Sequence, residues 1–294
     1  MERFRETIMN NRAPAGVVAG VDGSASAAAA AEWAAQEADR RGCALHLVHA
    51  VNTGTVTLSP RTGAAVTDLI LRDAQDLLDD SLGKLKAAHP ELRLTGDVVP
   101  REAAEALLTA AEHAELAVVG TRGHGGFAAL LLGSVSLRVA AHSRCPVVVV
   151  RGASDAGSHV LVAVRDERDA ATLRFALRAA ATRRLPVEAL HTWSPVVAEA
   201  GQMAMADEAG EEERLHAQLL QHTIEPVLED FPEVRVDARQ LTGATVETLV
   251  EASRQAALLV VSRHEPAPRF GLRLGTSLHA VLHHAHCPVA VVPV

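Results

Sequence analysis

In the segment GTRGHGGFAALLLGS, residues 120–134, glycines recur at a spacing that suits an anion. Two residues separate Gly120 from Gly123, and nine separate Gly123 from Gly133, which Ser134 follows. Without a Cβ in the way, backbone N–H groups come close to a large charged ligand. Gly133 and Ser134 then open the helix-like run SVSLRVAAH, where unpaired N–H groups and the positive end of the helix dipole favour phosphate. The hydroxyls of Ser134 and Ser136 are further donors. The pattern is not a Walker loop, because no Gly-Lys-Ser/Thr follows, and not the dinucleotide fingerprint, whose glycines are spaced differently and follow the first strand. Spacing alone also permits glycines that only relieve a crowded loop.

The elements that must position this loop alternate between strand and helix. GVVAGVD is an apolar run ending in a turn at Asp22, and ASAAAAAEWAAQEADRRG is a helix with Arg40 and Arg41 in its last turn and Gly42 at its stop. ALHLVHAV and LRLTGDVV are further strands, separated by the long amphipathic helix VTDLILRDAQDLLDDSLGKLKAAH. After the helix AAEALLTAAEHA come the strand LAVVG, the glycine loop, the helix SVSLRVAAHS and the strand PVVVV. Apolar strands alternating with helices predict an α/β fold with a mostly parallel five-stranded sheet covered on both faces. Ligands of such sheets lie at the carboxyl ends of the strands. Both Asp22 and the glycine loop fall at such ends.

The chain then repeats itself. Residues 116–151 match 258–293 so that Cys145-Pro146 meets Cys287-Pro288, an offset of 287 − 145 = 142. His49 meets His191 in the same register, since 191 − 49 is again 142. A period this long means duplicated domains rather than solenoid units. We expect domains at 12–151 and 159–294, joined by the small, polar stretch GASDAGS.

Composition narrows the partners. Aromatic residues make up 2% of the chain, Tyr is absent and the formal net charge is −8, so base-stacking or polyanion-binding nucleic-acid surfaces are not expected. No run reaches membrane-spanning length and the first residues lack the apolar core of a secretion signal, which predicts a cytoplasmic location and no membrane partner. Cys43, Cys145 and Cys287 form no CxxC pair and read as small hydrophobes. His279 and His283 share a helical face, yet no nearby carboxylate completes a metal set, and no metal site is assigned. His49 and His191 read as structural.

With these residues in view, the chain resembles the universal stress protein family, in its ATP-binding branch and tandem two-domain form. The family's G-2x-G-9x-G-(S/T) motif is matched by Gly120, Gly123, Gly133 and Ser134, its first-strand VGVDGS signature by AGVDGS at 19–24, and its later strands by LHLVHA and CPVVVV. The resemblance implies two tandem Rossmann-like domains of the adenine nucleotide alpha hydrolase-like kind. It implies that Gly20, Val21 and Asp22 lie against the adenine and ribose and that Ala50 lines the adenine slot. Val119, Gly120, Arg122 and Gly123 would wrap the ribose and phosphates, and Gly133, Ser134, Val135 and Ser136 would hold the phosphate chain. The implied cofactor is ATP with Mg2+. The implied assembly pairs the last strands PVVVVR and PVAVVPV, as an intrachain pseudo-dimer and again between chains as a homodimer, with an unidentified protein partner.

The second repeat departs from the pattern. Arg165 stands where Asp22 does, allowing one residue of slack, while Ser262 replaces Gly120 and Glu265 replaces Gly123; Gly275 and Thr276 persist. A carboxylate about 4 Å from a phosphate costs about 4 kcal/mol at an effective dielectric near 20, roughly a thousandfold in affinity. Pro266 and Pro268 stiffen the loop. The second domain is therefore expected to have a degenerate site, with Arg263, Arg269 and Arg273 read as a solvated basic face in preference to a different anion site. No catalytic set of residues is evident in either half. The expected function is an ATP-binding stress-response regulator. The alternatives are a slow ATP hydrolase or nucleotidyl-transfer enzyme, or a binder of AMP or cyclic AMP.

Overall fold

The computed structural model of the chain describes residues 16–52, 60–123, 132–151, 157–194, 206–264 and 274–294. The chain divides into two compact units, Met1–Val150 and Arg151–Val294. In unit 1 the order is β1 (Val17–Gly20), α1 (Ala25–Arg41), β2 (Leu45–Ala50), α2 (Pro60–Ala88), β3 (Leu94–Val99), α3 (Ala103–Ala111), β4 (Leu116–Gly120), α4 (Ser134–His142) and β5 (Val147–Val150). Its strands are parallel, in the order β3-β2-β1-β4-β5. The chain runs outward from β1 through β2 to β3, then returns to β1's other side at β4. The carboxyl ends of β1 and β4 thus flank a topological switch point, where open α/β sheets form their crevice.

The central strands are apolar without alternation because helices cover both faces. Every residue of β4 and β5 is buried. On α1, Ala27, Ala30, Ala31, Ala34, Ala35 and Ala38 face inward with Trp33, and small side chains let the helix lie close to the sheet. Ser24 caps α1 by accepting the Ala27 N–H at 3.1 Å. Gly42 ends it in the left-handed region at φ 63°, which only glycine adopts without strain. Helix α2 begins at Pro60, before the amphipathic run that starts at Val66.

His89, just beyond α2, ties that helix to α1. Its Nδ1 lies 2.7 Å from Asp39 Oδ2 and its Nε2 3.0 Å from Glu32 Oε1. Burial alone would push the imidazole pKa down, but the hydrogen bonds and charges of Glu32 and Asp39 prevail and raise it above 6.5. A raised folded-state pKa adds stability that is fully present below pH 6.5 and is lost as pH rises through the raised value. Both carboxylates are largely solvated, so the pair is worth little. We expect His89→Ala to lower stability by about 0.5–1 kcal/mol at pH 6 and hardly at all at pH 9, read from urea melts at both pH values.

Unit 2 repeats the plan with β6 (His159–Ala163), a 3-10 turn (Glu167–Asp169), α5 (Ala170–Arg183), β7 (Val187–Trp193), α6 (Ala206–Leu228), β8 (Val236–Thr242), α7 (Thr245–Ala252), β9 (Ala256–Arg263), α8 (Thr276–His284) and β10 (Val289–Pro293). Its parallel order is β10-β9-β6-β7-β8. Cys145 and Cys287 are buried, Cys43 is half-buried, and all are free thiols. Burial pushes the Cys287 thiol up to about 12, so it packs as an inert small group. Among the described residues no helix is long and apolar enough to cross a membrane.

Candidate functional site

At the end of β1, Val21 donates its N–H to Val48 O at 3.0 Å. His49 donates through Nδ1 to Val21 O at 2.7 Å, which fixes its tautomer and pins the strand end. Asp22 follows, its Oδ1 accepting the Ser24 N–H at 3.0 Å. Gly23 then turns the chain into α1 at φ 81°.

The first turn of α1 grips the start of the glycine loop. Ser26 Oγ accepts the N–H of Thr121 at 2.8 Å and of Arg122 at 3.3 Å, and Ser24 Oγ donates to Arg122 O at 3.3 Å. The far stem closes on the near one, since Gly133 donates its N–H to Thr121 O at 2.7 Å. Both stems are thereby held in register across residues 124–131, which include Gly125 and Gly126 and lie outside the described residues.

Between these stems and the β1 end opens a cleft of about 530 Å³, within the range of small-molecule sites. Gly20, Val21 and Asp22 line it from β1, and Ala50 from β2. Val119, Gly120, Arg122 and Gly123 line it from β4 and the loop, and Gly133, Ser134, Val135 and Ser136 from the start of α4. Ala27, Val48, Ala103 and Leu107 complete an apolar end that the motif did not reveal. Leu107 Cδ1 stands 3.0 Å from where a Cβ on Gly20 would be, so that glycine makes room for a side chain of α3. The i, i+4 pair Ala103 and Leu107 was visible in the sequence, but which strand ends it covers depends on the tertiary path of α3.

The N-terminus of α4 differs from those of α1 and α3. Ser24 and Glu102 cap α1 and α3 with their side chains, whereas Gly133 offers no side-chain cap to α4. The first amides of α4 therefore need acceptors from outside the helix. They lie at the cleft.

Two positions act differently from what their spacing suggested. A Cβ on Gly120 would meet Ser26 Oγ at 2.5 Å, Ser26 O at 2.6 Å and Ser26 C at 2.7 Å, so this glycine admits α1 rather than a ligand. Ser136 is buried and its hydroxyl donates to Gly120 O at 2.6 Å, leaving no hydroxyl proton for an anion. Gly123 does open onto the cleft, where a Cβ would collide with Asp22 Oδ2.

Unit 2 has a cleft of about 520 Å³ in the corresponding place. Val164 donates to Leu190 O at 3.0 Å just as Val21 does to Val48 O, and His191 Nδ1 donates to Val164 O at 2.8 Å. With 190 − 48 = 142 and 164 − 21 = 143, unit 1 has one extra residue between these two strand ends, and Arg165 takes the place of Asp22. Thr192 and Thr245 replace Ala50 and Ala103, and their hydroxyls bond at 3.0 Å. Ser262 Oγ is 2.9 Å from His264 Nε2, which also lies 3.0 Å from Oδ1 of the fully buried Asp169. That second contact lacks hydrogen-bond alignment. Because Ser262 and Asp169 address the same ring nitrogen, the trio is not a nucleophilic relay, which uses opposite nitrogens. Burial pushes the His264 pKa down, with Asp169 opposing. Glu265, Pro266, Pro268, Arg269 and Arg273 lie outside the described residues.

On α8 the His279 and His283 rings sit 4.4 Å apart. Burial and then the neighbouring His279, His284 and Arg151 push the His283 pKa down. Among the described residues no group of three or more His, Cys, Asp or Glu gathers to hold a metal.

Two doubly wound units in tandem, each with a crevice at its switch point, define a Rossmann-like α/β protein. The sequence profile of the universal stress protein family matches residues 16–151 and 158–293, and the chain belongs to that family. It is 30% identical over 292 residues to a universal stress protein of Mycobacterium tuberculosis strain H37Rv, covering 94% of this chain and 95% of that one. A universal stress protein of Mycolicibacterium smegmatis is 30% identical over 294 residues, covering 94% and 96%. The crystal structure of a universal stress protein from Archaeoglobus fulgidus shares the fold, with a TM-score of 0.64 at 18% identity over 95% of this chain and 96% of that chain.

Proposed function

We propose that unit 1 is an adenine-nucleotide-binding regulatory module that holds ATP in its cleft, and that occupancy biases the protein's shape or its partners during stress. The observation that carries this reading is the uncapped start of α4 opening onto a cavity whose opposite end is apolar. A nucleotide has the same polarity. Val48, Ala50 and Leu107 suit a base, and the α4 amides with the Ser134 hydroxyl suit phosphates. Between them Asp22 and Gly123 face the sugar, whose hydroxyls a carboxylate accepts. Arg122 is exposed at the mouth, where it meets the outer phosphates.

Mg2+ in this reading arrives with the nucleotide, bound chiefly by its phosphates. Asp22 and Ser134 are the oxygen donors this cleft could add. Binding, rather than turnover, is the role proposed, and a homodimer is proposed with it. The test is to denature freshly purified protein and weigh what it releases. ATP is the expected species. A protein that releases no nucleotide and shows no heat on titration with ATP, ADP, AMP or cyclic AMP would overturn the reading.

A further inference from the structure

We propose that the cleft of unit 2 is a site for a nucleotide that carries a second phosphate on its ribose, a 3′,5′- or 2′,5′-bisphosphate, rather than for ATP. The proposal rests on the reading of unit 1 as a nucleotide cleft, because it takes the place of Asp22 as the place of the sugar. The cleft of unit 2 has kept its volume, about 520 Å³ against about 530 Å³, so substitution has changed its chemistry without filling it.

The change with the greatest consequence is Asp22 to Arg165. The matching strand-end hydrogen bonds put the two residues in register, and the Arg165 N–H is held by Asp169 Oδ2 at 2.6 Å. A carboxylate at a sugar accepts ribose hydroxyls, while an arginine there receives a ribose phosphate; dinucleotide-binding folds separate their two cofactors by this same exchange. Arg165 spends Nε on Asp166 Oδ2 at 3.2 Å, and its side chain is 56% exposed. Arg168 also binds Asp166, at 2.6 Å and 3.0 Å, so that carboxylate is shared between two guanidinium groups. Among the described lining residues Arg165 and Arg263 are the charged groups, with His264 beside them and no carboxylate, where unit 1 sets Asp22 against Arg122.

The other end of the cleft keeps its phosphate chemistry. Gly275 gives α8 no side-chain cap, and Thr276 and Ser277 line the cavity, so a 5′-phosphate meets the amides as in unit 1. A 5′-phosphate at these amides and a ribose phosphate at Arg165 put single phosphates at two places in the cleft, rather than a triphosphate at one. In the base slot the bonded Thr192 and Thr245 replace two alanines. That leaves the base identity to hydroxyl contacts.

Calorimetric titration of the full-length Gly123→Glu protein, whose first cleft is expected to bind nucleotide more weakly, tests this with adenosine 3′,5′-bisphosphate, adenosine 2′,5′-bisphosphate and AMP. We expect one bisphosphate to bind at least about tenfold more tightly than AMP, the worth of one charge-assisted bidentate contact. Arg165→Gln should reduce that preference and Arg165→Asp should abolish it, while both keep the parent circular dichroism and melting temperature. Equal affinity for AMP and both bisphosphates, no binding of any of them, or a preference that survives in Arg165→Asp would overturn the proposal. The wild-type protein separates the two readings. If it takes up no ATP yet keeps the Arg165-dependent preference, the reading of unit 1 fails and this one stands.

Discussion

Gly123→Glu is expected to weaken ATP binding to unit 1 by about a hundredfold. At about 4 Å from a phosphate the new carboxylate costs between about 1 kcal/mol in full solvent and about 4 kcal/mol at an effective dielectric of 20. Gly123 is exposed at one edge of a cleft, which places the cost between these limits. Bulk adds a smaller part, since any Cβ there collides with Asp22 Oδ2 and turns that carboxylate away from the sugar position proposed above. Gly123→Gln carries the bulk without the charge, so calorimetry on both variants separates the two. The charge-dependent share should shrink as salt rises. The cleft would be the wrong one if Gly123→Glu bound ATP as the parent does.

Much of the fold was legible because its signals are local. The strands β4 and β5 are short apolar runs, α1 ends at the stop read at Gly42, and the 142-residue offset between His49 and His191 reappears as matching Nδ1 bonds to Val21 O and Val164 O. The lining that comes from the strand ends and the glycine motif was also legible, because a parallel sheet brings its strand ends together. What depends on contacts distant in sequence was not. Nothing near Gly120 says that Ser26, 94 residues earlier, fills the space of its missing Cβ. Nor does SVSLRV say that Ser136 turns its proton back onto Gly120 O. Helix α2 begins earlier than its apolar pattern because Pro60 suits a first helical position. The hydroxyl pair of Thr192 and Thr245 lies on two elements, and only the fold joins them.

Gly120→Ala should cost unit 1 about 2–4 kcal/mol of stability, by overpacking together with the loss of a partly buried hydrogen bond. The added methyl meets three atoms of Ser26, and two of them, O and C, are backbone. That backbone cannot retreat easily, because Ala30, Trp33 and Ala34 hold α1 against the sheet. Ser26 Oγ is also the acceptor for the Thr121 N–H, so a shift of α1 loosens the loop as well. Deleting the hydroxyl relieves only one of the three contacts, and the double variant Ser26→Ala/Gly120→Ala should therefore remain destabilised. Trp33 in unit 1 and Trp193 in unit 2 are the two tryptophans of the chain. Urea unfolding followed by Trp33 fluorescence in a Trp193→Phe background thus reports the unit that was changed; an unshifted midpoint would refute the packing argument. Unit 2 contains a natural form of the same substitution, since Ser262 there carries a Cβ. In unit 2 the 3-10 turn Glu167–Asp169 precedes the helix, and α5 starts only at Ala170. With the offset of 143 that start corresponds to Ala27, two residues later than the start of α1 at Ala25, so a 3-10 turn in unit 2 stands where the first α-helical turn crowds Gly120 in unit 1.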